Sequence, residues 1–353
     1  MKVLGIETSC DETSAAVVEN GNILHSVVTA TSLDLHAQYG GVVPEIAARS
    51  HIESINPVIK QALSDANCNW PDIDALAVTY GAGLGGSLLI GVLAARTLSI
   101  IHNKPLYACN HVEGHVYANF LTQTSLPQYI LPSHQPKFPI LALIVSGGHT
   151  QLVLFRDHFD YTLLGQTQDD AIGEAFDKVA KILGLPYPGG PSIAQFAPNG
   201  NPNAYQFPKA KMPKPYDFSF SGLKTAVLRT IQAECGKKYD FPSFKLSELL
   251  SASQQADFAA SFQRVAIETV SDKTLGAYKE FKPASVVIAG GVAANQALRT
   301  QLASDIPIPI EYTDPKLCTD NGAMIATLGC FKAQYNVQPA NPYTLDIVPN
   351  LSM

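Results

Sequence analysis

The stretch NHVEGHVYA, residues 110–118, contains two histidines four residues apart, His111 and His115. On a helix these two positions project from the same face, so both rings could bind one metal ion. Neutral imidazole is a ligand of both zinc and iron. Because the HxxxH spacing also arises by chance, the pair alone indicates a candidate metal site and no particular reaction.

Peptide hydrolysis is one chemistry that uses such a histidine pair. Zinc proteases carry HExxH, in which the glutamate directly follows the first histidine and activates the metal-bound water. In this sequence Val112 has that position and Glu113 follows one residue later, about 100° further around a helix. The misplaced carboxylate disfavours a protease.

Two glycine pairs, in IVSGGHTQ and VVIAGGVAAN, each end an apolar, strand-like run. Backbone N–H groups in such turns can point outward and bind phosphate. One pair indicates only a tight turn, whereas two favour a nucleotide site. The sequence has no GxxxxGK[ST] loop and no GxGxxG after its first strand, which disfavours P-loop and Rossmann folds.

The elements that carry these turns repeat along the chain. The order strand, polar or glycine turn, strand, strand occurs twice, at VLGIE (3–7), AAVVE (15–19) and NILHSVV (22–28), then at PILALIV (139–145), QLVLF (151–155) and YTLLGQT (161–167). Such a repeat predicts an internally duplicated fold. The carboxylates Asp11 and Glu12 lie in the first turn, where Asp is common for structural reasons. Duplication would bring the two turns together across a cleft, which would give the carboxylates a function.

The remaining segments alternate between helix and strand. Helices are predicted at 46–66 (kinked or split by Pro57), 169–185, 253–281 and 293–304, and strands at 73–80, 285–291 and 309–314. Asp320 could cap the helix that opens at NGAMIATLG. This order predicts two α/β lobes, 1–138 and 139–353, with the ligand site in the cleft between them.

Composition limits the possible functions. The 353 residues suggest about two domains, and 46% hydrophobic with 15% charged residues is typical of globular proteins. The six cysteines include no CxxC pair, so we expect reduced thiols. The N-terminus does not resemble a signal peptide, and the apolar run 87–101 is short and contains Arg96, so we expect a cytoplasmic protein without a membrane span. The net charge of −6 argues against autonomous nucleic-acid binding.

A series of motifs resembles the tRNA N6-adenosine threonylcarbamoyltransferase family. The motifs follow one another in the same order as in that family and cover nearly the whole chain. They are VLGIETSCDETSAAVV, HAQYGGVVPEIAARSH, NHVEGH, IVSGGHTQL, DDAIGEAFDKVAKILGLPYPGGP, FSFSGLKT, AGGVAAN and CTDNGAMIA. Members were formerly labelled O-sialoglycoprotein endopeptidases. Ile144 and His149 resemble the bacterial branch. Two positions depart from the family pattern: Ala82 replaces a proline, and Ala194 replaces an aspartate that contacts ligand in many members.

The resemblance implies a duplicated fold of the actin, hexokinase and chaperone-ATPase type with a nucleotide cleft. It implies transfer of the threonylcarbamoyl group from threonylcarbamoyl-AMP to N6 of the adenosine that follows the anticodon, in tRNAs that read codons beginning with A. By resemblance one divalent metal, Fe²⁺ or Zn²⁺ with Fe²⁺ favoured, would be held by His111, His115 and Asp320. The substrate, an adenylate-type nucleotide, would be bound by Ile144, Val145, Ser146, Gly147, Gly148, Asp177, Gly190 and Asn295.

Two further expectations concern the catalytic carboxylates and the macromolecular partners. Asp11 or Glu12 could accept the N6 proton or order the surroundings of the metal. The resemblance implies three macromolecular partners: the tRNA substrate, a metal-free paralogous subunit and a small P-loop ATPase. An apolar helix within 46–66 would form the docking surface. The alternatives are a small-molecule kinase on the same fold, a metalloprotease and a nonenzymatic nucleotide-binding subunit.

Overall fold

The computed structural model describes residues 1–353, which divide into two units. The first unit combines Met1–Pro136 with Glu311–Met353, and the second is Lys137–Ile310. The predicted boundary instead assigned 311–353 to the second lobe. The difference arises because the apolar C-terminal helix packs on the first sheet.

Eleven strands form the two sheets: β1 (Lys2–Glu7), β2 (Glu12–Glu19), β3 (Ile23–Thr31), β4 (Ala75–Gly81), β5 (Leu106–Asn110), β6 (Gln123–Thr124), β7 (Ile140–Val145), β8 (Thr150–Asp157), β9 (Asp160–Gln166), β10 (Ser285–Ala289) and β11 (Ile310–Glu311). Eleven α-helices accompany them: α1 (Leu33–Ala37), α2 (Pro44–Asp65), α3 (Gly85–His102), α4 (His111–Tyr117), α5 (Ile172–Ile182), α6 (Gly189–Phe196), α7 (Ser221–Glu234), α8 (Ala252–Phe281), α9 (Gln296–Asp305), α10 (Pro315–Cys318) and α11 (Gly322–Gln334). The predicted last strand is therefore much shorter than 309–314. Pro57 lies inside a continuous α2.

The two sheets share one topology, which confirms the predicted duplication. The first has the order β5-β4-β1-β2-β3-β6 and the second β11-β10-β7-β8-β9. In each, an antiparallel three-stranded meander is extended by a parallel strand beside its first member, β4 beside β1 and β10 beside β7. The buried β1 and β7 are apolar along nearly their whole length, as expected for strands covered on both faces.

Helices cover both faces of the first sheet. On one face, α2 and α3 pack on an apolar core that includes Ile6, Val17 and Val78. On the other, α11 approaches the sheet so closely that a Cβ on Gly322 would lie 2.7 Å from the backbone of Ala15. Only glycine permits this approach, which fixes the residues just before α11 close to β2.

Helix α3 tests the prediction that the apolar run near residue 90 is too short for a membrane. Its 18 residues are long and apolar enough by length and composition to cross one, so the prediction is wrong on length. A helix of a globular core meets the same criterion. Here α3 packs on α2 and β4, and Arg96 donates hydrogen bonds to the carbonyls of Pro342, Tyr343 and Leu345.

Candidate active site

The two histidines of the NHVEGHVYA stretch lie at the carboxyl end of the first sheet. Helix α4 begins directly after β5, and its N-terminus is capped by Asn110, whose side chain accepts from the Val112 N–H at 2.8 Å. The His111 and His115 rings face each other with centroids 4.7 Å apart. The stretch therefore forms a helix, and the two rings lie on one face of it, as the four-residue spacing requires.

Asp320 completes a three-residue cluster within the first unit. Its Oδ1 lies 3.5 Å from His111 Nε2 and 3.2 Å from His115 Nε2. One ligand atom from each residue lies within 4.8 Å of the other two. The structure thus brings together all three residues that the resemblance implied as metal ligands.

The cluster fits a single metal ion. Both nitrogens of the buried His115 ring make no hydrogen bond, although Nε2 lies close to the Asp320 carboxylate. A buried polar atom without a partner is costly, and such atoms at a functional site indicate an ion or water. Two imidazoles and one carboxylate, with further coordination positions open, suit a catalytic metal.

Asp320 reaches the histidines because the neighbouring residue caps the helix. The prediction that Asp320 caps α11 is wrong: the Asn321 side chain accepts from the N–H groups of Ala323 at 3.0 Å and Met324 at 3.2 Å. An N-cap directly precedes the first helical residue, here Gly322. The Asp320 carboxylate lies beside the two histidine rings instead of capping α11.

Glu7 lies behind His111 and was missed in the sequence. It ends β1 and is fully buried, and one carboxylate oxygen, Oε2, lies 3.3 Å from His111 Nδ1. The signal was a glutamate at the end of an apolar strand, since charged side chains are almost never fully buried unless paired. Burial by itself raises the pKa of Glu7. The charge and the hydrogen bond of His111 lower it by more, so the net pKa of Glu7 lies below its ordinary value. Burial lowers the pKa of His111, whereas Asp320 and Glu7 raise it, to about 9.

The predicted catalytic pair lies in the same unit, with Asp11 in the turn between β1 and β2 and Glu12 as the first residue of β2. Asp11 is buried and its carbonyl accepts from the N–H and hydroxyl of Ser32. Burial, followed by the charges of Asp320 and Asp11, raises the pKa of Glu12 well above its ordinary value. The buried His51 ties the turn to β2, because one ring nitrogen lies 3.0 Å from the Cys10 carbonyl oxygen and the other 2.8 Å from the Thr13 hydroxyl.

In the second unit, the predicted substrate residues begin at the carboxyl end of β7. Ile144 and Val145 are fully buried within that strand, so their side chains position the turn that follows. The Ser146 N–H already donates to the His149 carbonyl at 2.8 Å. The exposed Gly147 and Gly148 keep N–H groups that no hydrogen bond uses, and these two can face a ligand.

The end of the neighbouring strand packs against this turn. A Cβ on Gly290, which follows β10 and has φ +90°, would lie 2.5 Å from the Val145 carbonyl oxygen. That position therefore requires glycine. The two glycine motifs thus lie at one sheet edge, as parallel strands dictate.

The other predicted nucleotide residues have structural contacts of their own. Asp177 on α5 accepts from the Gly189 N–H at 2.7 Å and so fixes the start of α6, where Gly190 is partly exposed. Asn295 caps α9 by accepting from the Leu298 N–H at 3.1 Å. Its amide also donates to Gln263 of α8 at 3.0 Å.

Comparison with known proteins identifies the family. A family model described as TsaD, tRNA N6-adenosine threonylcarbamoyltransferase, matches residues 22–327. This chain belongs to that family. A Thermomicrobium roseum protein of that name is 49% identical over 348 residues, covering 96% of this chain and 93% of its own. A Desulfitobacterium hafniense protein of that name is 47% identical over 357 residues, covering 100% of this chain and 98% of its own. The chain is accordingly a transferase of tRNA modification.

Solved structures support the fold. The crystal structure of T. kodakarensis HypF has a TM-score of 0.61 at 12% identity, over 95% of this chain and 48% of that one. Full-length HypF in its phosphate- and nucleotide-bound form has a TM-score of 0.56 at 12% identity, over 94% of this chain and 56% of that one. Together with the strand order that repeats in the two sheets, these similarities confirm the predicted duplicated α/β fold.

Proposed function

We propose that this chain acts in the cytoplasm and transfers the threonylcarbamoyl group of threonylcarbamoyl-AMP to N6 of the adenosine 3′ to the anticodon, in tRNAs that read ANN codons. A bond forms between N6 and the carbamoyl carbon, and the bond from that carbon to the phosphate oxygen breaks. AMP leaves with that oxygen, and N6 loses a proton. Support comes foremost from the His111, His115 and Asp320 cluster in a chain whose full-length relatives carry this enzyme name.

The three cluster residues are proposed to hold one divalent metal. When bound, the metal supplies a Lewis acid for the acyl transfer. Two imidazoles and a carboxylate suit Fe²⁺ and Zn²⁺ alike, and the family resemblance favours Fe²⁺. Metal analysis of protein purified without oxygen tests this assignment, with one equivalent of iron as the expected result. One equivalent of zinc would overturn the preference for iron, and no bound metal would overturn the site.

In the second unit, the unused N–H groups of Gly147 and Gly148 are proposed to bind the donor phosphate. Outward-pointing backbone N–H groups stabilise anions without needing to reorganise. The adenosine portion would contact Asp177, Gly190 and Asn295. The Ser146 N–H is not part of this proposal, because the turn itself uses that group.

For the N6 proton, Asp11 and Glu12 are the proposed acceptors. Burial raises the pKa of Glu12, which is the direction that a carboxylate base acting near neutral pH requires. Single-turnover transfer from preformed donor tests the assignment. Glu12→Gln should slow the transfer step, whereas unchanged transfer would exclude Glu12. The same assay on Asp11→Ala decides whether Asp11 takes part.

A metal-free paralogous subunit and a small P-loop ATPase are proposed as partners. Support comes from an exposed apolar surface in the first unit, formed by Ile52 of α2 and by Leu89, Leu93, Ile100 and Ile101 of α3. Large exposed apolar patches mark protein interfaces. Leu93→Glu should abolish co-elution with the paralogue on size-exclusion chromatography and leave metal content unchanged. Intact co-elution would exclude this surface.

The function itself is tested by mass spectrometry of nucleosides. tRNA is incubated with ATP, threonine, bicarbonate, the partner proteins and this chain, and a matched reaction omits the chain. Threonylcarbamoyladenosine should form only in the complete reaction, and its absence would refute the proposal. ADP formation that depends on a metabolite and not on tRNA would indicate the kinase. Casein cleavage that is lost in Glu113→Gln would indicate the protease.

A further inference from the structure

The carboxylate of Glu7 accepts hydrogen bonds from three different parts of the first unit. Oε1 accepts from the Ser9 N–H at 2.5 Å, which closes the turn after β1. Oε2 accepts from the Thr79 hydroxyl of β4 and lies 3.3 Å from His111 Nδ1. Ser9 Oγ also lies 3.0 Å from that nitrogen. Glu7 is fully buried, so no water competes for these contacts.

These contacts determine which nitrogen keeps the proton when the His111 ring is neutral, the form that binds a metal. An ionised carboxylate only accepts hydrogen bonds, so the nitrogen facing Glu7 must be the donor. With the proton on Nδ1, the lone pair is on Nε2, which lies 3.5 Å from Asp320 Oδ1. His115 differs, because its Nδ1 is buried without any hydrogen bond.

We propose that Glu7 is a positioning residue of the metal centre, which holds His111 in the Nδ1–H tautomer and fixes the ring so that Nε2 binds the metal. The inference rests on the metal site proposed above. Hydrogen-bonded carboxylates behind histidine ligands recur in metal sites, where they orient the ring and raise its basicity.

Glu7→Gln preserves the shape of the side chain but removes this control. A glutamine amide has one acceptor oxygen and one NH₂ group. If the NH₂ group faces the fixed Ser9 N–H, two donors oppose each other. If it faces the other side, the Thr79 hydroxyl can rotate to accept, but the NH₂ group then opposes the His111 Nδ1–H, which keeps only Ser9 Oγ as an acceptor. Compared with the wild-type protein, this favours the tautomer with the proton on Nε2, which blocks the metal-binding atom.

Binding of Co²⁺ to the metal-free protein tests the inference, using chelator competition for affinity and visible absorption for geometry. Glu7→Gln should weaken binding by about 10–100-fold and change the spectrum. The matched control is Glu113→Gln, which alters another buried carboxylate of the same first unit, on α4 itself, whose Oε1 has no hydrogen bond. It should leave affinity and spectrum unchanged. Thermal unfolding of the metal-free variants shows whether Glu7 has only a structural role. In that case Glu7→Gln would lower the thermal stability without altering Co²⁺ affinity.

Each outcome decides a specific point. Unchanged Co²⁺ affinity in Glu7→Gln, or equal weakening in both variants, would overturn the role of Glu7 and leave the metal site intact. Absence of Co²⁺ binding by the wild-type protein would overturn the metal site and this inference together. If Glu7→Gln does not fold, ¹⁵N-histidine NMR of the zinc-loaded wild-type protein decides, with the His111 signals assigned from a His111→Asn sample. A protonated Nδ1 supports the inference, and a protonated Nε2 refutes it.

Discussion

Asn321→Ala should both destabilise the first unit and weaken metal binding. Asn321 is buried; its Oδ1 caps α11, and its Nδ2 donates to the carbonyls of Thr319 at 2.7 Å and Leu317 at 3.0 Å. Loss of the cap costs about 1 kcal/mol. The buried Leu317 carbonyl, left without a partner, adds about 1–3 kcal/mol, whereas the exposed Thr319 can regain water. The expected decrease in the free energy of unfolding is about 2–4 kcal/mol, which lowers the urea midpoint by about 1 M.

The same substitution frees the Asp320 backbone, so Co²⁺ affinity should also fall. Asn295→Ala is the matched control, because Asn295 caps α9 in the second unit and donates to Gln263. It should destabilise the protein without changing Co²⁺ affinity. Urea unfolding followed by circular dichroism and chelator competition measure the two effects. Wild-type stability and wild-type Co²⁺ affinity in Asn321→Ala would refute the reasoning.

Three further predictions concern metal, charge and packing. His115→Ala should lose stoichiometric metal by elemental analysis, whereas His25→Ala, at a surface pair with Glu19, should retain it; equal metal content would contradict the site. Burial raises the pKa of Asp170, but Lys178 and Lys224 lower it below its ordinary value of 3.8. Asp170→Asn should therefore lower the free energy of unfolding by about 1–2 kcal/mol at pH 7, and this difference should disappear as the pH falls through the folded-state pKa of Asp170. A difference in urea unfolding that does not depend on pH would contradict this. Gly5→Ala would place a Cβ 2.3 Å from the Ala326 nitrogen and should cost about 1–3 kcal/mol or more in the same assay; wild-type stability would contradict the packing.

Much of the fold followed from local pattern. The apolar run of β7 predicts a strand covered on both faces, and the matching turn and meander after β1 and β7 predict duplication. Such features are encoded within about ten neighbouring residues, where periodicity and turn chemistry act directly. The predicted strand at 309–314 was too long because only two of its residues find a partner strand, which local pattern cannot show.

The candidate site divides in the same way. The spacing of His111 and His115 placed both rings on one face if the stretch is helical, and Val112 in place of a glutamate disfavoured a protease. The third ligand entered only through family resemblance, since Asp320 lies far along the chain. Whether Asp320 or Asn321 caps α11 depends on where the helix begins, which local sequence specifies poorly.

The sequence by itself determined many of the strands and helices, the repeat and the residue types available for chemistry. The tertiary structure decided which of them meet. Close packing of α11 on the first sheet brings Asp320 to the histidines, and the pairing of β1 with β4 brings Glu7 and Thr79 behind His111. These contacts join residues separated by about 70 to 210 positions, so they depend on helix and strand packing that no local pattern records.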